Sequence, residues 1–98
     1  MLYLACYDIE NDRLRLRVAD QLLKTGLERV QYSVFMGPLS PTQKEKLEAA
    51  VAQLFDNGPG CDFMLLPLDK YSTDNATHLG ARALDWDYLA GEKLVLIL

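Results

Sequence analysis

The sequence predicts an α+β domain of order β-α-β-β-α-β, followed by one extra C-terminal strand. Three observations carry this. Two apolar runs at 2–9 and 62–68 have strand composition, two segments of helical periodicity each open on a capping signal, and a strand-like stretch at 28–39 lies between them. That order is the ferredoxin-like arrangement. The chain has 98 residues, room for one core, so 1–98 reads as a single domain with its core in 1–68.

Residues 2–9, LYLACYDI, lack clean alternation and read as a strand buried on both faces, with Asp8 at its end. Asn11 or Asp12 can cap a helix over 12–25, and Gly26 closes it as the C′ residue. Leu14, Val18, Ala19, Leu22 and Leu23 form its apolar arc. Arg13, Arg17, Asp20 and Lys24 form the opposite polar stripe, where Asp20 and Lys24 are a favourable i,i+4 pair. The 28–39 stretch is long enough for two short strands, but the pattern does not place the turn between them. Ser40-Pro41-Thr42-Gln43 is a capping box with proline at N1. The helix it opens buries Leu47, Ala50, Val51, Leu54 and Phe55, and Asn57-Gly58-Pro59-Gly60 stops it. Residues 62–68 read as a second buried strand and 70–91 as a loop-rich stretch. Leu94–Leu98 is wholly apolar, so its burial calls for pairing with a partner chain's sheet edge.

No apolar run reaches the ~18 residues of a membrane span, and Met1–Ile9 lacks the form of a signal peptide, so a cytoplasmic location with no membrane partner is expected. Cys6 and Cys61 have no metal-ligand spacing, and His78 is the one histidine, which argues against zinc. Net charge is −4, but it is uneven. Residues 1–46 hold seven Lys/Arg against six Asp/Glu, and 47–98 hold three against eight. A local basic surface on an acidic body is compatible with this pattern.

Several side chains stand out. Asp8 ends a buried strand, where it is either a ligand-facing carboxylate or a helix-capping acid. Arg15 falls inside the apolar arc, so it either snorkels or reaches over the sheet end toward Asp8 or a phosphate. Arg17 belongs to the solvated stripe, and Arg29 reads as an edge-strand charge. Tyr7 and Phe35 read as core aromatics, and Ser33 as a hydroxyl bonded to backbone. His78 reads as an incidental loop residue.

Four stretches together resemble a known family: Y-D-I at 7–9, R-L-R-V at 15–18, G-L-E-R-V-Q-Y-S-V-F-M-G at 26–37 and P-L at 67–68. They are similar to the small CRISPR-associated endoribonucleases, the dimeric second component of the spacer-integration complex. The resemblance covers about residues 1–68. It implies a ferredoxin-like homodimer with RNA or DNA and a CRISPR integrase subunit as partners. It further implies Asp8 as ligand of a catalytic magnesium ion (Mg2+), shared across the dimer axis because one carboxylate per chain is few for that ion. Tyr7, Arg15, Arg17, Arg29, Ser33 and Phe35 match family positions implicated in nucleic-acid handling or activity. Met36 stands where many family sequences carry an acid. Two functions follow from the resemblance: a magnesium-dependent endonuclease, or a non-catalytic duplex-binding scaffold between integrase dimers. A ferredoxin-like regulatory dimer for a small ligand is set aside by the R-V-Q-Y-S-V-F stretch.

Overall fold

The computed structural model of the chain describes residues 1–55 and 59–80. Along these run β1 (Leu2–Ile9), α1 (Asp12–Lys24), β2 (Glu28–Gln31), β3 (Val34–Pro38), α2 (Pro41–Leu54), β4 (Cys61–Leu68) and α3 (Lys70–Asp74). The expected strand at 94–98 and the stretch 81–91 lie outside the described residues. The four strands form one antiparallel sheet in the order β2-β3-β1-β4, as a ferredoxin-like chain requires.

Central strand β1 sorts its side chains by alternation. Tyr3, Ala5, Tyr7 and Ile9 join Val18, Ala19 and Leu22 of α1, Phe35 of β3, and Leu47 and Val51 of α2 in the main core. Full burial of a Leu- or Phe-sized side chain contributes about 1.5–3 kcal/mol, and Phe35, Leu22, Leu47 and Val18 are the largest residues buried completely. On the face away from this core, Leu2 and Met36 are buried in a second cluster with Leu4, Val30 and Leu68 packed on it.

Both helices start as the sequence predicts. Asn11 accepts from the backbone N–H of Leu14 at 2.9 Å. Ser40 and Gln43 complete their reciprocal box at 3.1 and 2.9 Å. Helix α1 ends one residue earlier than expected, at Lys24, in a Schellman motif. Leu27 N–H donates to the Leu22 carbonyl at 3.1 Å and Gly26 N–H to that of Leu23 at 3.0 Å, with Gly26 at φ 97°. The Asp20–Lys24 ion pair forms at 2.9 Å.

Four expectations are corrected. Strand β4 is not buried on both faces: Phe63 and Leu65 pack on the main core, while Asp62, Met64 and Leu66 are exposed. It is an edge strand among the described residues, covered by helices on one side only. Strand β1 is likewise only half-buried at Leu4 and Cys6 and exposed at Asp8. Leu23 of the expected apolar arc is exposed, because it lies at the arc's margin as the helix turns away from the sheet. Residues 70–74 are helical rather than loop, since Asp69 caps them by accepting from Ser72 N–H at 2.8 Å, which holds the Asp69 carboxyl below its ordinary pKa.

The turn that periodicity could not place is Tyr32-Ser33. Glu28 and Arg29 pair with Met36 and Phe35, but Gln31 pairs with Val34, so Val30 is the extra residue of a bulge. Gly37, across from Tyr3, is needed for close approach. A Cβ there would lie 2.8 Å from Leu27 Cδ2 and 3.2 Å from its Cα. Gly37→Ala should cost about 1–3 kcal/mol through overpacking against backbone. Gly26→Ala has open space around it and should cost about 1–2 kcal/mol, from its positive φ alone. Urea midpoints of the two variants check both.

Candidate functional site

Three strand ends and a helix start converge at one end of the sheet. The β1–β4 ladder runs to Ile9 and Cys61 and is extended by Glu10 N–H, which donates to the Gly60 carbonyl at 2.9 Å. Gly60 lies at φ 80° with the Glu10 side chain packed over it, so any Cβ would collide with that carboxylate. On the other side of β1, Tyr7 N–H donates to the Ser33 carbonyl at 3.2 Å, which ties the β2–β3 turn to the same end. Ser33 therefore sits in a turn, and its main chain makes this link.

Asp8 is exposed, on the face away from the helices. Directly opposite it in the register is Asp62 of β4, also exposed. Cross-strand partners share a face with Cβ atoms about 4.5–5.5 Å apart, and like charges so placed repel. Asp62 was missed in the sequence reading. Its signal is positional, the second residue of a strand antiparallel to the one that Asp8 nearly ends, and it becomes visible only with the register. Among the described residues, no three His, Cys, Asp or Glu side chains gather as a metal-holding group.

The arginines lie elsewhere. Arg15 does reach over the sheet end, but to main-chain oxygens rather than to Asp8. One Nη donates to the Ile9 carbonyl at 3.0 Å and, at 3.5 Å, to that of Glu10, while the other pairs with the Asp12 carboxylate. Asp12 holds the Arg15 guanidinium above its ordinary pKa, with Tyr32 adding to the effect against the opposing desolvation. Arg29 lies on the helix side of the sheet, because its register partner Phe35 belongs to the main core. Its guanidinium carbon is 5.0 Å from the Phe35 ring centroid and 6.0 Å from that of Tyr32, within cation–π range. Tyr7 and Phe35 are buried and stacked at 6.2 Å, and they support this cluster from beneath. Arg17 is on the opposite flank of α1. With Arg13, Glu10 and Cys61 it lines an open groove of about 540 Å³ between the helix start and the start of β4. Arg13 was read from the sequence only as part of a solvated stripe, yet it shares this groove. His78 is exposed beyond α3.

The seven expected residues thus divide into three surfaces: a carboxylate face, an arginine–aromatic cluster at the turn, and an arginine-lined groove. Only Arg15, Arg29, Tyr7, Ser33 and Phe35 are brought together.

Comparison with known proteins agrees with the fold. The family model for CRISPR associated protein Cas2 matches residues 1–76. A CRISPR-associated endoribonuclease Cas2 of Archaeoglobus fulgidus is 43% identical over 76 residues, covering 78% of this chain and 80% of that protein. The crystal structure of Streptococcus pyogenes Cas2 superposes with a TM-score of 0.67 at 28% identity, over 82% of this chain and all of that one. A chain of a partial Cas6-RT-Cas1–Cas2 complex matches with a TM-score of 0.64 at 28% identity, over 80% and 89% of the two chains. No helix among the described residues is long and apolar enough to cross a membrane. By fold, by motif order and by the match over most of its length, this chain belongs to the CRISPR-associated Cas2 family.

Proposed function

We propose that this protein is a magnesium-dependent endonuclease of the adaptation stage of CRISPR immunity, cleaving phosphodiester bonds of RNA or DNA as a homodimer with Asp8 as metal ligand. The observation that carries this reading is the Asp8–Asp62 pair, two carboxylates facing each other across β1 and β4 on an exposed face. Hard carboxylate oxygens are the donors magnesium takes, and one or two carboxylates beside water and phosphate oxygens suffice for it. The donor set therefore fits, Asp62 supplying within one chain the second carboxylate that Asp8 lacks.

A magnesium ion held there supplies Lewis acidity to a phosphoryl oxygen and lowers the pKa of a bound water. Asp8 and Asp62 would hold the ion, and a bound cation would relieve their mutual repulsion. Arg15, fixed by the Ile9 and Glu10 carbonyls, keeps its charge at the sheet end, available to a phosphate. His78, the one histidine, follows α3 in the chain, and with no general base identified beside the two carboxylates the expected turnover is slow.

The homodimer reading rests on the same face, where Met64 (50% exposed) and Leu66 (43% exposed) lie on β4 beside the two carboxylates. Packing two such faces together covers these side chains and draws Asp8 toward its copy. A second reading, a duplex-binding scaffold between integrase dimers, is favoured by the Arg13–Arg17 groove lying apart from the carboxylates. The match to a chain from a complex containing Cas1 supports an integrase subunit as partner under either reading.

Asp8→Asn should reduce magnesium-dependent cleavage of labelled RNA and duplex DNA by at least about 100-fold, and Asp62→Asn should weaken magnesium binding in calorimetry about tenfold. Unchanged cleavage in Asp8→Asn would remove Asp8 as the metal ligand, and absence of cleavage by the wild type would favour the scaffold. In salt titrations of duplex binding, Arg17→Ala should flatten the slope of log K against log salt by about 0.9. Arg15→Ala should flatten it less, because Asp12 already offsets that charge. Met64→Lys combined with Leu66→Lys should shift sedimentation toward monomer, and an unaltered dimer would move the interface elsewhere.

A further inference from the structure

Tyr32 is left unexplained by the metal face and by the groove. It occupies the first position of the tight β2–β3 turn and is 71% exposed. A tyrosine brings no turn-making chemistry, unlike glycine, asparagine or aspartate, and at this exposure its ring contributes little to the core. Its setting is nevertheless ordered. The Arg29 guanidinium lies between the exposed Tyr32 ring and the buried Phe35 ring, at 6.0 and 5.0 Å from the two centroids. The turn is tied to β1 through the Ser33 carbonyl, and Arg15 is held on the carbonyls of Ile9 and Glu10 at the same end of the sheet. The result is an aromatic surface open to solvent, backed by one cation and flanked by another.

Aromatic rings so placed recognise nucleobases by stacking, and guanidinium groups beside them take the neighbouring phosphates. A paired base inside a duplex has both faces covered, whereas an unpaired base has a face to give. We propose that Tyr32 is a stacking platform for one unpaired base of a nucleic-acid strand, with Arg15 and Arg29 receiving the flanking phosphates. This rests on the reading of the protein as one that acts on nucleic acid, and it adds a preference for single-stranded or frayed segments.

The test is fluorescence anisotropy with a fluorescein-labelled single-stranded RNA of about ten nucleotides and with the same sequence in a blunt duplex, using wild type, Tyr32→Ala and Tyr32→Phe. Tyr32→Ala should bind the single strand about 5- to 150-fold more weakly, the range for loss of one aromatic–base stack. It should bind the duplex as wild type does, with an unchanged urea midpoint. Tyr32→Phe should stay within about twofold of wild type, since the ring and not the hydroxyl stacks. Unaltered single-strand binding by Tyr32→Ala overturns the proposal, as does an equal loss in Tyr32→Phe or an equal loss on duplex. Retained RNA binding by Tyr32→Ala with lost assembly on an integrase subunit also overturns it, making the ring a protein contact. Failure of the wild type to bind either oligonucleotide removes the nucleic-acid reading itself, whereas wild-type binding that Tyr32→Ala leaves intact removes only the stacking.

Discussion

Strand β1 is hydrogen-bonded along both edges, to β3 and to β4, and its alternation decides which side chains can meet. Tyr7 and Asp8 are neighbours in the chain and on opposite faces of the sheet. One is packed under both helices and the other is exposed. A slip of one residue in either ladder would exchange them, exposing an aromatic core and burying a carboxylate, so the apolar face enforces the register. The accessibility of Asp8 and the burial of Tyr7 are consequences of the same pairing. The same pairing sets Asp62 opposite Asp8, because the register that places Leu65 across from Ala5 leaves no other partner for it.

Helix α1 is joined to this strand by more than its apolar face. Asn11 caps it within two residues of the end of β1, and Arg15 returns from the second turn to the carbonyls of Ile9 and Glu10. Those oxygens sit where the ladder ends and need donors. A guanidinium with five N–H groups can serve them and still meet Asp12. The exposed pairs Asp20–Lys24 and Lys44–Glu48 are of a different kind, since solvated i,i+4 pairs contribute only a few tenths of a kcal/mol. Arg15 therefore has a structural role at the strand end in addition to any contact with phosphate.

The face away from the helices combines apolar and acidic character. Met36 is buried there beside Leu2, where a carboxylate would be costly without a partner. The acidic groups are displaced instead to the β1–β4 end of the face, next to the exposed Met64 and Leu66. Under the proposed reading, a metal held by Asp8 and Asp62 would border the region where a second copy would pack.

Much of the fold was legible in the sequence, because its signals are local. The capping box Ser40–Gln43, the Asn11 cap, Gly26 at C′ and the apolar arcs of two helices are each set by residues within a few positions of one another. The motifs around Asp8, Arg15, Arg17, Arg29 and the R-V-Q-Y-S-V-F stretch were likewise enough to identify the family. The rest required the tertiary structure, for separate physical reasons. The β2–β3 turn was hidden because the Val30 bulge breaks the alternation from which a turn is read. Strand β4 read as buried because its residues are apolar, but exposure at an edge depends on what lies beside a strand and not on its composition. Asp62 could not be paired with Asp8, since a cross-strand neighbour more than fifty positions away is a property of register. The sorting of the arginines into a turn cluster and a groove was decided by which flank of α1 lies toward β2 and which toward α2. Sequence by itself determined the family, the two long helices and the strands β1 and β4, through interactions confined to a turn of helix or a few residues of strand. The tertiary structure decided which charged groups share a surface, because sheet order and register bring distant segments together.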